Sequence, residues 1–158
     1  MNAFITIFYD WSNAIAGLLR WLPPLAVRIA VGSVFLWTGW LKLNNLERMI
    51  DNFRGWGIPA PEILTPIASG IEFVGGALLL VGLLTRFAAV PLMIVMVVAV
   101  TYAKWADIDS FVTLMGFEEV SYFLMFAWLA VAGPGPVSLD HFVLKAYRRD
   151  RPPSDYGA

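Results

Sequence analysis

Residues 63–84 read ILTPIASGIEFVGGALLLVGLL, an apolar run carrying one ionisable side chain, Glu72, near its midpoint. A helix needs about 20 mostly apolar residues to cross a bilayer, so this run predicts a transmembrane span. A charged group at the middle of a span costs on the order of 3 kcal/mol on insertion scales, and Glu72 therefore needs a partner inside the protein. Two readings follow: a functional acid, or a structural one that only ties two helices together through an ion pair or hydrogen bond.

Composition extends this reading to the whole chain. Hydrophobic residues make up 59% of the 158 and charged residues 15%, with a mean hydropathy of +0.69; soluble domains are about 45–50% apolar and about 25% charged. The length suits one compact unit. A net charge of −1 with no basic stripe gives no case for nucleic-acid binding. The absence of Cys excludes disulfide exchange, iron–sulfur ligation and zinc thiolate sites. With His141 as the only His, a bis-His haem or His-rich metal site within one copy is excluded too.

Four apolar segments stand along the chain. The first runs from about Leu25 to Leu43 behind Pro23-Pro24, a pair suited to an opening helical turn. The second is the run quoted above, with Pro66 in its first turn. The third runs from about Phe87 to Ala103, with Pro91 near its start. Val120 to Ala132 makes a short fourth, and extending it back to Phe111 brings in Glu118 and Glu119, either at the membrane surface or facing the bundle interior. Gly133-Pro134-Gly135-Pro136 then stops the helix. Before these spans, Phe4, Phe8, Trp11, Ile15, Leu18 and Leu22 recur at helical spacing, an amphipathic pattern suited to the membrane surface. It lacks the basic region of a secretory signal, so it is expected to be retained; a frayed extension is the alternative. The fold class expected is all-α: a four-helix transmembrane bundle with an N-terminal amphipathic interfacial helix. Its divisions are an interfacial segment at 1–22, a four-span membrane domain at 23–144 and a polar tail at 145–158, disordered or pinned by a partner around Pro152-Pro153.

With the N-terminus inside, one side of the membrane holds Arg20, Arg86, Lys145, Arg148, Arg149 and Arg151 against Lys42, Arg48, Arg54 and Lys104 on the other. Basic residues favour the cytoplasm in short loops, so both termini are expected there. On the first span Arg28, Gly32, Phe35, Gly39 and Lys42 share one helical stripe, and on the second Thr65, Ser69, Glu72, Gly76, Leu83 and Arg86 share another. Small residues let helices approach closely and bury polar groups between them. The economical arrangement opposes these faces in antiparallel helices, with Arg28 reaching toward Glu72 and Lys42 nearer the outer rim. The bland counterparts are plain helix packing for the glycines and snorkelling from helix ends for Arg28, Lys42 and Arg86.

The order Arg28–x3–Gly32, Gly39–x2–Lys42, Phe53…Gly57-Ile58-Pro59, Glu72–x2–Gly75-Gly76 and Gly82-Leu83–x–Thr85-Arg86, closing with Gly133-Pro134-Gly135–x2–Ser138-Leu139-Asp140, resembles the DoxX family across roughly residues 25 to 141. The resemblance implies a four-helix membrane protein found as a small subunit of redox systems, such as thiosulfate:quinone oxidoreductase or a complex protecting against oxidative stress. Members often carry a His near the end of the third span, where this chain reads Val100-Thr101-Tyr102-Ala103-Lys104, which puts His-dependent chemistry in doubt. The family's acid before the last span aligns with Glu118 or Glu119. Three functions are compatible with this: a quinone-linked redox-complex subunit without its own metal or flavin, a non-catalytic subunit bracing a larger complex, or a small-molecule or proton transporter using Glu72, Glu118 and Glu119. For the first, Glu72 and Arg28 are the candidate functional pair, and a quinone or other polar head group would meet Arg28, Lys42, Glu72, Tyr102, Glu118 and Tyr122. No intrinsic cofactor is expected beyond a bound quinone. The partners expected are membrane lipids and other membrane subunits, in a bacterial-type inner membrane that the chain crosses several times.

Overall fold

A computed structural model describes residues 2–149, all of whose regular elements are helical. The order is α1 (Asn2–Leu19), α2 (Leu22–Asn44), α3 (Leu46–Gly55), α4 (Pro61–Val81), α5 (Thr85–Val98), α6 (Phe111–Gly116), α7 (Glu118–Ala132) and α8 (Leu139–Arg149). A π-helical turn over Ala99–Ala103 prolongs α5, and a 3₁₀ turn over Trp105–Asp107 leads into the loop before α6. Three helical stretches are long and apolar enough to cross a membrane: Leu22–Asn44, Pro61–Val81 and Thr85–Ala103. Only 28%, 33% and 22% of their most apolar windows are buried within the protein, so most of their apolar surface needs a lipid-like surround.

The core lies between α2, α4, α5 and α7. Phe35, Leu79, Leu92, Phe126 and Leu129 are buried at its centre, and Phe35 meets Phe126 and Tyr122 edge-on at 5.0 and 5.2 Å. The closest pair is α2 against α4. A Cβ placed on Gly39 would overlap the backbone of Phe73, and one on Gly76 would overlap the backbone of Leu36. The glycine stripes expected from the sequence thus bring two backbones into contact. Their register sets Gly32 beside Gly76 and Leu80, and Gly39 beside Phe73.

Three differences from the sequence reading concern boundaries. α4 stops at Val81 rather than Leu84, because Gly82 turns left-handed at φ +70° and the amides of Gly82 and Leu83 fold back to Leu79 O and Leu78 O. The apolar stretch 111–132 is not one helix: Phe117 is extended and separates α6 from α7, leaving Glu118 and Glu119 in the first turn of α7. The tail boundary at residue 145 falls inside α8, whose Leu139, Phe142, Val143 and Tyr147 recur at helical spacing. The expectation for Pro152-Pro153 lies outside the described residues.

Candidate functional site

Two clusters of polar groups lie at opposite ends of the bundle. At the first, Arg28 is 2% exposed and, among the described residues, forms no ion pair with a carboxylate, Asp140 acting on it only at longer range. Its Nε donates to Leu79 O at 2.9 Å and Nη2 to Leu80 O at 3.2 Å, while Nη1 donates to Pro134 O and Val137 O at 2.6 and 2.8 Å. The last carbonyls of a helix lack partners within it, and Arg28 supplies them at the end of α4 while holding the 133–138 loop. Asp140 does the converse at the start of α5. Its carboxylate accepts from Leu84 N at 2.8 Å and Thr85 N at 3.1 Å, and its own amide donates to Gly82 O. Leu84 is held at φ +50°, a left-handed conformation costing on the order of 1–3 kcal/mol, and these bonds anchor it. Arg86 reaches the end of α7 at Ala130 O. The Gly82…Arg86 and Gly133…Asp140 motifs are therefore two halves of one clamp.

The second cluster surrounds Glu72, whose side chain is 3% exposed. Its Oε1 accepts from Lys42 Nζ at 2.6 Å, and among the described residues its buried Oε2 has no hydrogen-bond partner, the Thr38 hydroxyl that also acts on this carboxylate being directed to Phe35 O. This corrects the pairing expected from the stripes: Glu72 binds Lys42, not Arg28. The cause is the α2–α4 register, which sets Lys42 level with Glu72 and Arg28 level with Gly82. Lys42, 30% exposed, reaches inward from the last turn of α2.

Glu72 and Lys42 form part of the wall of a cavity of about 400 Å³. Phe53, Trp56 and Ile58 close one side, α4 gives Ile67 and Ile71, and α5 gives Pro91, Ile94 and Val95. The π turn contributes Ala99 and Ala103; turns of this kind are frequent at functional sites. Lys104 and Glu119 complete the polar part, Lys104 with its ammonium 5.7 Å from the centre of the Phe117 ring. Glu119 Oε2 is also buried without a hydrogen bond. A mostly apolar pocket with a few converging polar groups is the usual form of a small-molecule site.

Of the residues singled out from the sequence, the structure brings Lys42, Glu72 and Glu119 to this cavity. Arg28 lies in the clamp. Glu118 and Tyr102 are exposed, and Tyr122 packs on Phe35; none of these lines the cavity. Between the two adjacent acids, it is Glu119 that faces inward. Lys104, Phe53 and Trp56 carry no site role in the sequence reading, although Leu46, Met49, Ile50 and Phe53 fall at i, i+3, i+4 and i+7, a pattern that marks α3 as an amphipathic helix.

Comparison with known proteins decides the family. The DoxX family model matches residues 24–105, and the chain is 35% identical over 136 residues to the uncharacterized membrane protein Rv3486 of Mycobacterium tuberculosis, covering 78% of this chain and 83% of that one. The chain belongs to the DoxX family. Other DoxX-type relatives are the putative oxidoreductase CatD of Bacillus subtilis, 29% identical over 78% of this chain and 89% of that one, and the inner membrane protein YqjF of Escherichia coli, 26% identical over 78% and 93%. No solved structure gives a significant match. As a DoxX protein with three candidate spans, the chain is a membrane protein.

Proposed function

We propose that this DoxX protein is a small integral membrane subunit of a quinone-linked oxidoreductase, with the quinone head group seated in the Lys42–Glu72 cavity. The observation that carries the reading is a buried carboxylate with an unpartnered oxygen in the wall of an otherwise apolar cavity between α3, α4 and α5. The residues present fit such a head group: apolar walls take the ring, the Lys42 ammonium is a donor to its oxygens, and Glu72 is placed to take up or release a proton. When bound, a quinone would supply two-electron, two-proton chemistry. The Lys42–Glu72 pair orients the head group and compensates charge, Glu119 offers a second acid, and Phe53, Trp56 and Ile58 restrict access of water. The name of the Bacillus relative, putative oxidoreductase, supports the redox class. The chain has no Cys for an iron–sulfur cluster, and His141 does not line the cavity; in this reading the electron donor or acceptor belongs to a neighbouring subunit.

In this reading the fourth span is α6 with α7 broken at Phe117, since α7 alone, at about 22 Å, is short of a hydrocarbon core about 30 Å thick. The amphipathic α1 lies at the membrane surface, and both termini are cytoplasmic in a bacterial-type inner membrane. Purification from native membranes in mild detergent tests the function. Quinone in the lipid extract together with a flavin-, haem- or molybdenum-bearing partner is the expected result. A complex whose activity survives loss of this chain would instead mark a bracing subunit.

A further inference from the structure

A second depression lies beside the Lys42–Glu72 cavity. A shallow groove of about 470 Å³ follows the seam between α4 and α5 and shares Ile67, Ile71 and Pro91 with the cavity. From there it runs past Gly70, Val74 and Leu78 on one side to Phe87 and Ala88 on the other. Ile67 to Leu78 alone spans about 17 Å along the helix axis. The groove thus starts at the apolar wall it shares with the cavity and continues along the α4–α5 seam, with Val74 and Phe87 54% and 76% exposed along it.

Gly70 is the residue that gives this groove meaning. It lies inside α4, where Gly costs about 1 kcal/mol relative to Ala. Gly39 and Gly76 offset that cost by letting α2 and α4 touch. Gly70 does not: a Cβ built there would meet nothing within 4 Å. Among the described residues no packing requires Gly70 to lack a side chain, and the space it leaves faces the groove.

We propose that the α4–α5 groove is a tail subsite, holding the single long apolar chain of the molecule whose head group occupies the Lys42–Glu72 cavity. This rests on the quinone reading and adds that the natural ligand is a long-tailed, prenyl-type quinone bound along its length. The groove adjoins the cavity along Ile67, Ile71 and Pro91, so a tail leaving the head site has only that apolar wall to cross, whereas a bulk lipid acyl chain would cover the groove without reaching the cavity.

The test uses the full chain in nanodiscs, titrated with a long-tailed benzoquinone and with the tail-less head-group analogue, following quenching of tryptophan fluorescence. Gly70→Leu fills the groove in a space with no neighbour, and Gly70→Ala is the milder version. Wild type should bind the long-tailed form more tightly. Gly70→Leu should weaken that binding by about tenfold, equivalent to roughly 1.4 kcal/mol, with Gly70→Ala intermediate and the tail-less analogue bound equally by all three. Long-tailed binding unchanged in Gly70→Leu, with the analogue still bound, overturns the tail subsite while the quinone reading stands; the groove then holds bulk lipid. Failure of both compounds to bind wild type removes the quinone reading and the subsite with it. Equal losses for both compounds in Gly70→Leu would place the defect in the head cavity and overturn the subsite.

Discussion

Glu72 and Lys42 meet at 2.6 Å because α2 and α4 share a register fixed where their glycines let the backbones touch. Arg28 and Lys42 sit on the same face of α2, so periodicity correctly gave the surface that opposes α4. It could not give the depth at which each cation meets it. That depth depends on where the glycines let the backbones touch and on the α3 connection, both long-range properties. A double-mutant cycle separates the pairings. Glu72→Gln and Lys42→Met, compared by thermal unfolding in detergent, should show a coupling of roughly 0.5–3 kcal/mol, near the lower end because Lys42 is 30% exposed. Arg28→Gln combined with Glu72→Gln should be additive within about 0.5 kcal/mol. Coupling in the second cycle and none in the first would contradict the observed contacts.

Among the helices, α2 and α4 depend on each other most. Gly39→Leu or Gly76→Leu drives a side chain into the facing backbone, and overpacking typically costs about 1–3 kcal/mol; here no flexible neighbour can give way, so the loss should reach the top of that range. Gly70→Ala, in the same helix, should instead leave stability unchanged or raise it, by up to about 1 kcal/mol from helix propensity alone. Equal destabilisation at Gly70 and Gly76 would mean that the α2–α4 contact is not where the structure has it. The long apolar elements were readable because 20-residue hydrophobic runs have few alternatives. The short ones were harder to read for different reasons: α3 is an amphipathic helix whose apolar pattern lasts only about two turns between spans, and α8 begins after Gly133-Pro134-Gly135-Pro136, which reads as a terminator. The break at Phe117 has no Pro or Gly at its own position, only Gly116 before it, and a hydropathy pattern passes over it.

Taken as a whole, the protein has its charges sorted to two ends, the clamp of Arg28, Arg86 and Asp140 and the cavity with Lys42, Glu72, Lys104 and Glu119. The absence of native Cys makes topology directly measurable. Single Cys residues at Asn52 and Ser154 should react with an impermeant thiol reagent from opposite faces of the membrane, and labelling of both from the same face would defeat the four-span arrangement. The clamp also has a consequence for synthesis. Arg28 draws two of its acceptors from Leu79 and Leu80, 51 and 52 residues further on, and the other two from Pro134 and Val137, 106 and 109 residues further on. When the ribosome has made the first span, none of these carbonyls exists. A nascent chain ending at Ala132 would hold a guanidinium with half its acceptors missing, and in a pulse-chase experiment it should be degraded faster than the full chain, with Arg28→Leu narrowing the difference. Arg28 would thereby make durable membrane residence conditional on translation having run past residue 137.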